Sequence, residues 1–275
     1  MIKKILFPLL FLNYLSLYSS EVDTLIVQSE SMNKSISNLV IVPEDYSLNT
    51  NSLPVIYLLH GYDNDQNTWL NKFPKLKEYA DNYNVIIVCP DGEFSSWYFD
   101  SPIDENFKYE TYISSELVDS VDKNYNTIKN RNARAITGHS MGGHGALYLS
   151  FKHQDIWGAA GSMSGGVDLV PFPSSWDISK RLGIYSDYPE NWNNNSVINM
   201  VNLLKTGNLK LILDCGVDDF FYDANLRLHN SLKEKKIPHD YIERSGSHDW
   251  DYWINSLGYQ ILFFNKFFEE INSNY

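Results

Sequence analysis

The sequence predicts an α/β fold: a central, mostly parallel sheet with antiparallel strands at its N-terminal end and helices on both faces. Three observations predict it. Short apolar runs alternate with stretches of helical periodicity along most of the chain. Several runs, such as VIYLL at 55–59 and VIIVC at 85–89, are continuous in Val, Ile and Leu, as strands covered on both faces must be. Finally, Gly138-His139-Ser140-Met141-Gly142 lies between such a run and a helical stretch, the sequence form of a tight strand-to-helix turn.

The elements follow in order. Two antiparallel strands are expected over roughly Thr24–Ser31 and Asn38–Pro43, then buried strands over Val55–Gly61 and Asn84–Gly92. A helix is expected over Glu110–Asn124, a strand over Ala133–Gly138, a helix over Met141–Lys152 and a strand over Gly158–Ser162. The strand LKLILDCG covers Leu209–Gly216, followed by a helix over Phe221–Lys235. A last strand over His239–Arg244 precedes a helix over Trp250–Glu269. Between Gly166 and Gly207 the chain reads as irregular, with Pro171, Pro173, Pro189, Trp176, Tyr185 and Trp192. So long a loop between two central strands is expected to be a lid-like insertion over the carboxyl ends of the strands, where ligands bind. Residues 21–275 are expected to form one domain, a length that supports a sizeable core.

Composition narrows the function classes. The formal charge of −12 excludes a phosphate-backbone binder, because no Lys/Arg stripe is present to displace counterions. It also disfavours adhesion to anionic lipid. Aromatic residues reach 15%, more than a core needs, so part of the surplus is expected to line a cleft.

Residues 1–20 are expected to be a signal peptide: Lys3 and Lys4, an apolar run from Ile5 to Leu17, then Ser19 and Ser20 before Glu21. The run is short for a bilayer span and no cysteine lies at its end, so a secreted or periplasmic chain without a membrane anchor is expected. The two cysteines, Cys89 and Cys215, fall at the ends of buried strands and are expected to be free thiols. No metal-ligand spacing is present, and neither a metal nor a cofactor is expected.

The pentapeptide carries the chemistry. A strand–Gly-x-Ser-x-Gly–helix context throws the serine hydroxyl clear of the sheet, which makes Ser140 the candidate nucleophile. A serine needs a base, and the base an orienting carboxylate, in the chain order Ser, Asp, His. His60, His139 and His144 fall too early or within the turn itself, and His153 ends the following helix. His229 falls within a helix and His239 opens a strand. His248, in the Gly/Ser loop of ERSGSHDW, is the one placed to swing over the turn. The carboxylate should follow the LKLILDCG strand. Asp214 lies within that strand, Asp249 is adjacent to the histidine, and Asp218 and Asp219 are equally placed in the loop. Two backbone N–H groups must face the developing oxyanion. The residue after the nucleophile, Met141, supplies one, and Tyr62, in the turn that Gly61 permits after an early strand, the other.

These motifs together resemble the esterase family that includes feruloyl and acetyl-xylan esterases, tributyrin esterases, S-formylglutathione hydrolases and the antigen 85 acyltransferases. The likeness runs from about Val55 to Trp253 through LLHG, CPDGEFSSWYFDSP, YETYISSEL, GHSMGGHGAL, DCGVDDFF and GSHDW. It implies the α/β-hydrolase fold and assigns the acid to the second loop aspartate, Asp219. It also places Trp97 at the pocket edge, and His60 and His139 are further candidate substrate contacts. The chain departs from S-formylglutathione hydrolases in its apparent signal and in His60-Gly61-Tyr62-Asp63, and it lacks a distinctive apolar extension of the lipid-binding branch.

The resulting reading is an exported serine carboxylesterase for short-chain acyl or feruloyl esters, such as those on plant polysaccharide. Acyl transfer to a sugar or lipid alcohol by the same residues is the alternative, and a non-catalytic binding protein on the same fold a third.

Overall fold

The computed structural model describes residues 20–48 and 50–272. The expected signal segment lies almost wholly outside them. The strands are β1 Glu21–Ser29, β2 Lys34–Val42, β3 Val55–Leu59, β4 Ile86–Pro90, β5 Arg134–Gly138, β6 Ala159–Met163, β7 Lys210–Gly216 and β8 Asp240–Arg244. They form one sheet in the order β1-β2-β4-β3-β5-β6-β7-β8. The β1–β2 and β2–β4 pairs are antiparallel and the remaining pairs parallel. This is the α/β-hydrolase arrangement that the resemblance implies.

The sheet centre explains the continuous apolar runs. In β3, Tyr57 and Leu59 point into one core and Ile56 and Leu58 into the other, and all four are fully buried. The helices that cover the faces are α1 Thr68–Lys72, α2 Leu76–Tyr83, α3 Tyr109–Thr111, α4 Val118–Asn124, α5 Met141–Lys152, α6 Ile178–Leu182, α7 Pro189–Asn195, α8 Tyr222–Glu234 and α9 Trp250–Asn272. Helices α2 and α9 close one core through Leu76, Ala80, Leu257, Ile261 and Phe264. Helices α4, α5 and α8 close the other through Val121, Leu147 and Leu228. Helix α5 is buried nearly all round, so its residues carry almost no amphipathic pattern.

Two expectations change. The stretch 110–124 is helical but not uniform, because Tyr112–Leu117 forms a π-helical segment between α3 and α4. Segment 166–207 is less irregular than its prolines suggest. It contains α6, α7 (with Pro189 at its start, where a missing N–H costs nothing) and 3-10 turns at Val197–Asn199 and Val201–Leu203. Helices α1 and α2 were not foreseen. The signal for α2 is faint: the buried pair Leu76 and Ala80, ended by Asn84 in the left-handed region.

Buried polar anchors hold this segment down. Trp97 Nε1–H donates to the Trp176 carbonyl at 3.0 Å, and Ser101 Oγ–H to the Arg181 carbonyl at 2.6 Å. The Arg181 guanidinium pairs with Asp104 at 3.0 Å and lies over the Phe107 ring. From α5, His144 Nε2 meets the Asn195 carbonyl at 2.9 Å.

His144 is fully buried, and burial pushes its imidazole down from 6.5 to about 4. Between those values the unfolded chain takes up a proton that the folded chain refuses. Stability therefore falls as pH falls through that window, by up to about 1.4 kcal/mol per pH unit from this group. The urea midpoint should drop more between pH 7 and pH 4.5 for the wild type than for His144→Gln, and equal drops would refute the assignment.

Candidate active site

The turn between β5 and α5 places Ser140 at φ 55°, ψ −117°, a conformation a non-glycine residue holds only under constraint. The constraint is visible. Ser140 N–H donates to the Met163 carbonyl of β6 at 3.0 Å, and its own carbonyl accepts from His144 N–H at 3.0 Å and Gly166 N–H at 3.3 Å. The flanking glycines are required sterically. A Cβ on Gly142 would lie 2.5 Å from the His60 carbonyl oxygen, and one on Gly138 would lie 2.7 Å from the Leu59 carbonyl oxygen.

The side chain so presented meets His248. Ser140 Oγ lies 2.9 Å from His248 Nε2, and His248 Nδ1 lies 2.8 Å from Asp219 Oδ2. Asp219 Oδ1 accepts the Phe221 N–H at 2.8 Å, so both carboxylate oxygens are engaged. With Asp219 accepting from Nδ1–H, Nε2 is left bare to accept the serine proton. Asp219 is 5% exposed, whereas Asp218 is exposed; of the two loop aspartates only Asp219 reaches the imidazole.

The loops that carry the acid and the histidine are zipped together. Val217 N–H donates to the Arg244 carbonyl at 2.9 Å and Asp218 N–H to the Gly246 carbonyl at 3.0 Å. Aromatic rings brace the imidazole from several sides: Phe220 at 4.3 Å, Trp253 at 4.8 Å and Phe221 at 5.3 Å between centroids.

The two expected oxyanion donors are available. Met141 N–H opens α5, where the first N–H groups of a helix lack intrahelical partners and the helix dipole is positive. Tyr62 follows β3 on a turn fixed by Asp63 at φ 60°, whose N–H donates to the Phe94 carbonyl at 3.0 Å. Neither the Tyr62 nor the Met141 N–H is taken by another group among the described residues.

A cleft of about 380 Å³ opens over Ser140. The Gly61–Tyr62 turn and Asn64 line one side, Trp176 and Phe220 another, and His139, Trp250 and Trp253 the rest. Trp176 and Phe220 stack at 5.7 Å with 17° between their planes. Trp176 and Asp177 sit at φ 49° and 54°, so the insertion delivers this ring through a turn that no glycine announces.

The remaining candidates divide. His139 borders the cleft, but its ring is packed among Trp69, Trp250 and Trp253, and burial holds it well below the ordinary histidine range and hence neutral. His60 and Trp97 stand behind the lining rather than in it, and each is 1% exposed. His60 Nδ1–H donates to the Gly61 carbonyl at 2.8 Å, and Nε2 accepts the Gly92 N–H at 2.7 Å, joining the loops after β3 and β4. Trp97 acts on the cleft through Trp176, whose carbonyl it holds and whose ring it meets at 6.4 Å between centroids. Both cysteines are free and buried, and burial pushes the Cys89 thiol up to about 12. Among the described residues no helix is long and apolar enough to cross a membrane.

Sequence reasoning missed Phe220, Trp250 and Trp253 as cleft residues, and it placed Trp176 within the expected lid-like insertion without singling it out. Phe220 could have been found from its place beside Asp219, and Trp250 and Trp253 from their i, i+3 spacing after His248.

Known proteins share this frame. A ferulic acid esterase of known structure superposes with a TM-score of 0.80 at 28% identity, over 91% of this chain and 99% of that one. A fluorophosphonate-binding serine hydrolase of Staphylococcus aureus (FphF) superposes equally well, at 0.80, over 90% and 99% of the two chains; at 22% identity it bears on the fold alone. An acetyl esterase of Caldicellulosiruptor saccharolyticus is 29% identical over 253 residues, 82% of this chain and 91% of that protein. The family described as "Putative esterase" matches residues 29–264, from the end of β1 well into α9, so the chain belongs to this esterase family and is a carboxylic ester hydrolase.

Proposed function

We propose that the protein is a serine esterase in which Ser140, His248 and Asp219 form the catalytic triad and Tyr62 and Met141 the oxyanion hole. The observation that carries this reading is the continuous chain from Ser140 Oγ through His248 to Asp219, at 2.9 Å and 2.8 Å, on a serine held at positive φ. Ser140 attacks the ester carbonyl while His248 Nε2 takes its proton. The oxygen that becomes negative is met by the two backbone N–H groups and by the positive end of α5. His248 then protonates the departing alcohol, and the same base activates the water that frees the acid. Asp219 holds the imidazole in the required tautomer throughout, and no step calls for a cofactor.

The cleft also bears on the substrate. At about 380 Å³, with Trp176, Phe220, Trp250 and Trp253 on its walls, it suits a compact acyl group or an aromatic acid rather than a long lipid chain. We therefore place short-chain acyl and feruloyl esters first, with acetylated or feruloylated plant polysaccharide as their bearer, and segment 166–207 as the wall that supplies Trp176. Residues 1–20 would direct export, which N-terminal sequencing of the secreted protein would test by a start near Glu21.

The enzymatic test is a panel of acetyl, butyryl, octanoyl and feruloyl esters, alongside acetylated and feruloylated xylan, with a fluorophosphonate label mapped by mass spectrometry. The expected result is a label on Ser140, with turnover falling steeply from acetyl and butyryl to octanoyl. A label elsewhere, or turnover of long-chain esters alone, would overturn the reading.

A further inference from the structure

One buried charge has no part in the scheme above. Asp214 is the fifth residue of β7 and is fully buried. Its Oδ2 pairs with Arg244 Nη2 at 2.7 Å, and its Oδ1 accepts a short hydrogen bond from the Tyr252 hydroxyl. The carboxylate is fully buried while Arg244 stays 25% exposed, and the cost of desolvating a buried charge offsets much of what its pairing gains, so its position in the fold is informative.

The positions of the two partners suggest its role. Arg244 is the last residue of β8 and Tyr252 lies in the first turn of α9. The segment between them, 245–251, carries His248. A single carboxylate thus ties together the two ends of the loop that holds the general base. The clasp is reinforced from both ends. The Arg244 guanidinium lies over the Tyr252 ring at 4.8 Å and the Tyr259 ring at 4.7 Å, and also bonds Asn255 one turn further along α9. The Tyr252 ring packs against Gly246, which sits at φ 145° and has no room for a Cβ there. The next residue, Trp253, meets the His248 imidazole edge-on at 4.8 Å. The Arg244 carbonyl accepts the Val217 N–H of the acid loop. Asp214 therefore reaches His248 through both ends of its loop, and the acid loop through the backbone of Arg244.

We propose that Asp214 is a positioning residue: by clasping Arg244 and Tyr252 it holds His248 between Ser140 and Asp219. This rests on the proposed triad. A base displaced by about 1 Å can cost on the order of 100-fold in rate while leaving substrate binding alone. The clasp should consequently show in kcat and not in KM.

The test compares Asp214→Asn, Tyr252→Phe, Arg244→Gln and the double variant Asp214→Asn/Tyr252→Phe on p-nitrophenyl acetate. Tyr252→Phe keeps the ring and removes only the hydroxyl, so it carries the test if Asp214→Asn does not fold. The expected result is a fall in kcat of roughly 10- to 100-fold. KM should stay within about twofold, as for a loss confined to the transition state. The rate constant for fluorophosphonate labelling of Ser140 should fall in parallel, and the double variant should be no worse than Asp214→Asn, because both remove the same tie. Variants that melt earlier yet keep wild-type kcat would overturn the proposal and leave the triad standing. A wild-type protein that neither turns over the ester nor takes the label at Ser140 would instead remove the triad on which the proposal rests.

Discussion

Replacing Ser140 by alanine is expected to lower kcat for p-nitrophenyl acetate by about 10⁴- to 10⁶-fold. His248→Ala should cost about as much, and the double variant little more than either. The reason is geometric. Ser140 Oγ lies 2.9 Å from His248 Nε2, so in the proposed triad the two side chains act as one proton-transfer unit. Removing either ends the same step, and effects of residues that act as a unit do not add. What survives should be the share of catalysis from the Tyr62 and Met141 N–H groups and from the cleft, on the order of 10³- to 10⁴-fold over water. KM should change little for Ser140→Ala, which leaves the aromatic walls intact, whereas His248→Ala also removes the ring that Phe220 and Trp253 pack against. The folded state should tolerate Ser140→Ala, because the strained backbone is pinned by Met163, His144 and Gly166 and not by the hydroxyl. Steady-state kinetics on the purified variants, beside their melting temperatures, checks this. A double variant 10⁴-fold below both singles would mean that Ser140 and His248 act independently.

The parts of the site legible in the sequence are those that backbone geometry demands. Only glycine fits at 138 and 142, where a Cβ would strike the carbonyls at the end of β3, so the turn announces itself. His248 follows from the need for a mobile-looking loop after the last strand, and the structure places its ring against Ser140. The choice between Asp218 and Asp219 was not legible from residue chemistry. The loop after β7 is bent by tertiary and local backbone bonds, among them Asp218 N–H to the Gly246 carbonyl at 3.0 Å and Asp219 N–H to the Gly216 carbonyl at 3.1 Å, and it brings Asp219 to within 2.8 Å of the imidazole. The sheet was legible nearly strand by strand because its centre is apolar on both faces. Helices α1 and α2 were not, being short and half-exposed.

The aromatic surplus illustrates the same limit. Four tryptophans, Trp69, Trp97, Trp157 and Trp192, are buried outside the cleft lining, while Trp176, Trp250 and Trp253 line the cleft. Nothing in composition separates the two groups. Trp250 and Trp253 reach the cleft because α9 starts just after His248 and presents its first turn to it. Trp176 does so because two successive residues adopt the left-handed conformation without being glycine, at a cost of about 1–3 kcal/mol each that neighbouring structure must offset. The Trp97 bond to its carbonyl and its stacking on Phe220 are two such offsets, and both depend on residues about 80 and 44 positions away. Local sequence does not contain that information.

Asp219→Asn should reduce kcat by about 10⁴-fold although it exchanges one oxygen for a nitrogen of similar size. The magnitude follows from which way the amide must face. Asp219 Oδ1 accepts the Phe221 N–H at 2.8 Å at a buried position. An asparagine there keeps its carbonyl oxygen on that donor, because turning it would set N–H against N–H and leave a buried donor unsatisfied. Its NH₂ group then faces His248 Nδ1, where the carboxylate Oδ2 now lies 2.8 Å away. Two donors cannot face each other, so Nδ1 must become the acceptor and the ring proton moves to Nε2. That nitrogen then points a hydrogen at Ser140 Oγ and can no longer take the serine proton. The fold and the cleft should be unaltered, with KM close to wild type. Asp218→Asn supplies the control: its side chain is exposed and only its backbone N–H joins the two loops, so its kcat should stay within about twofold of wild type, as for a surface substitution away from the reacting groups. Steady-state kinetics on the two variants decides between the aspartates. A 10⁴-fold loss in Asp218→Asn with an active Asp219→Asn would reverse the assignment.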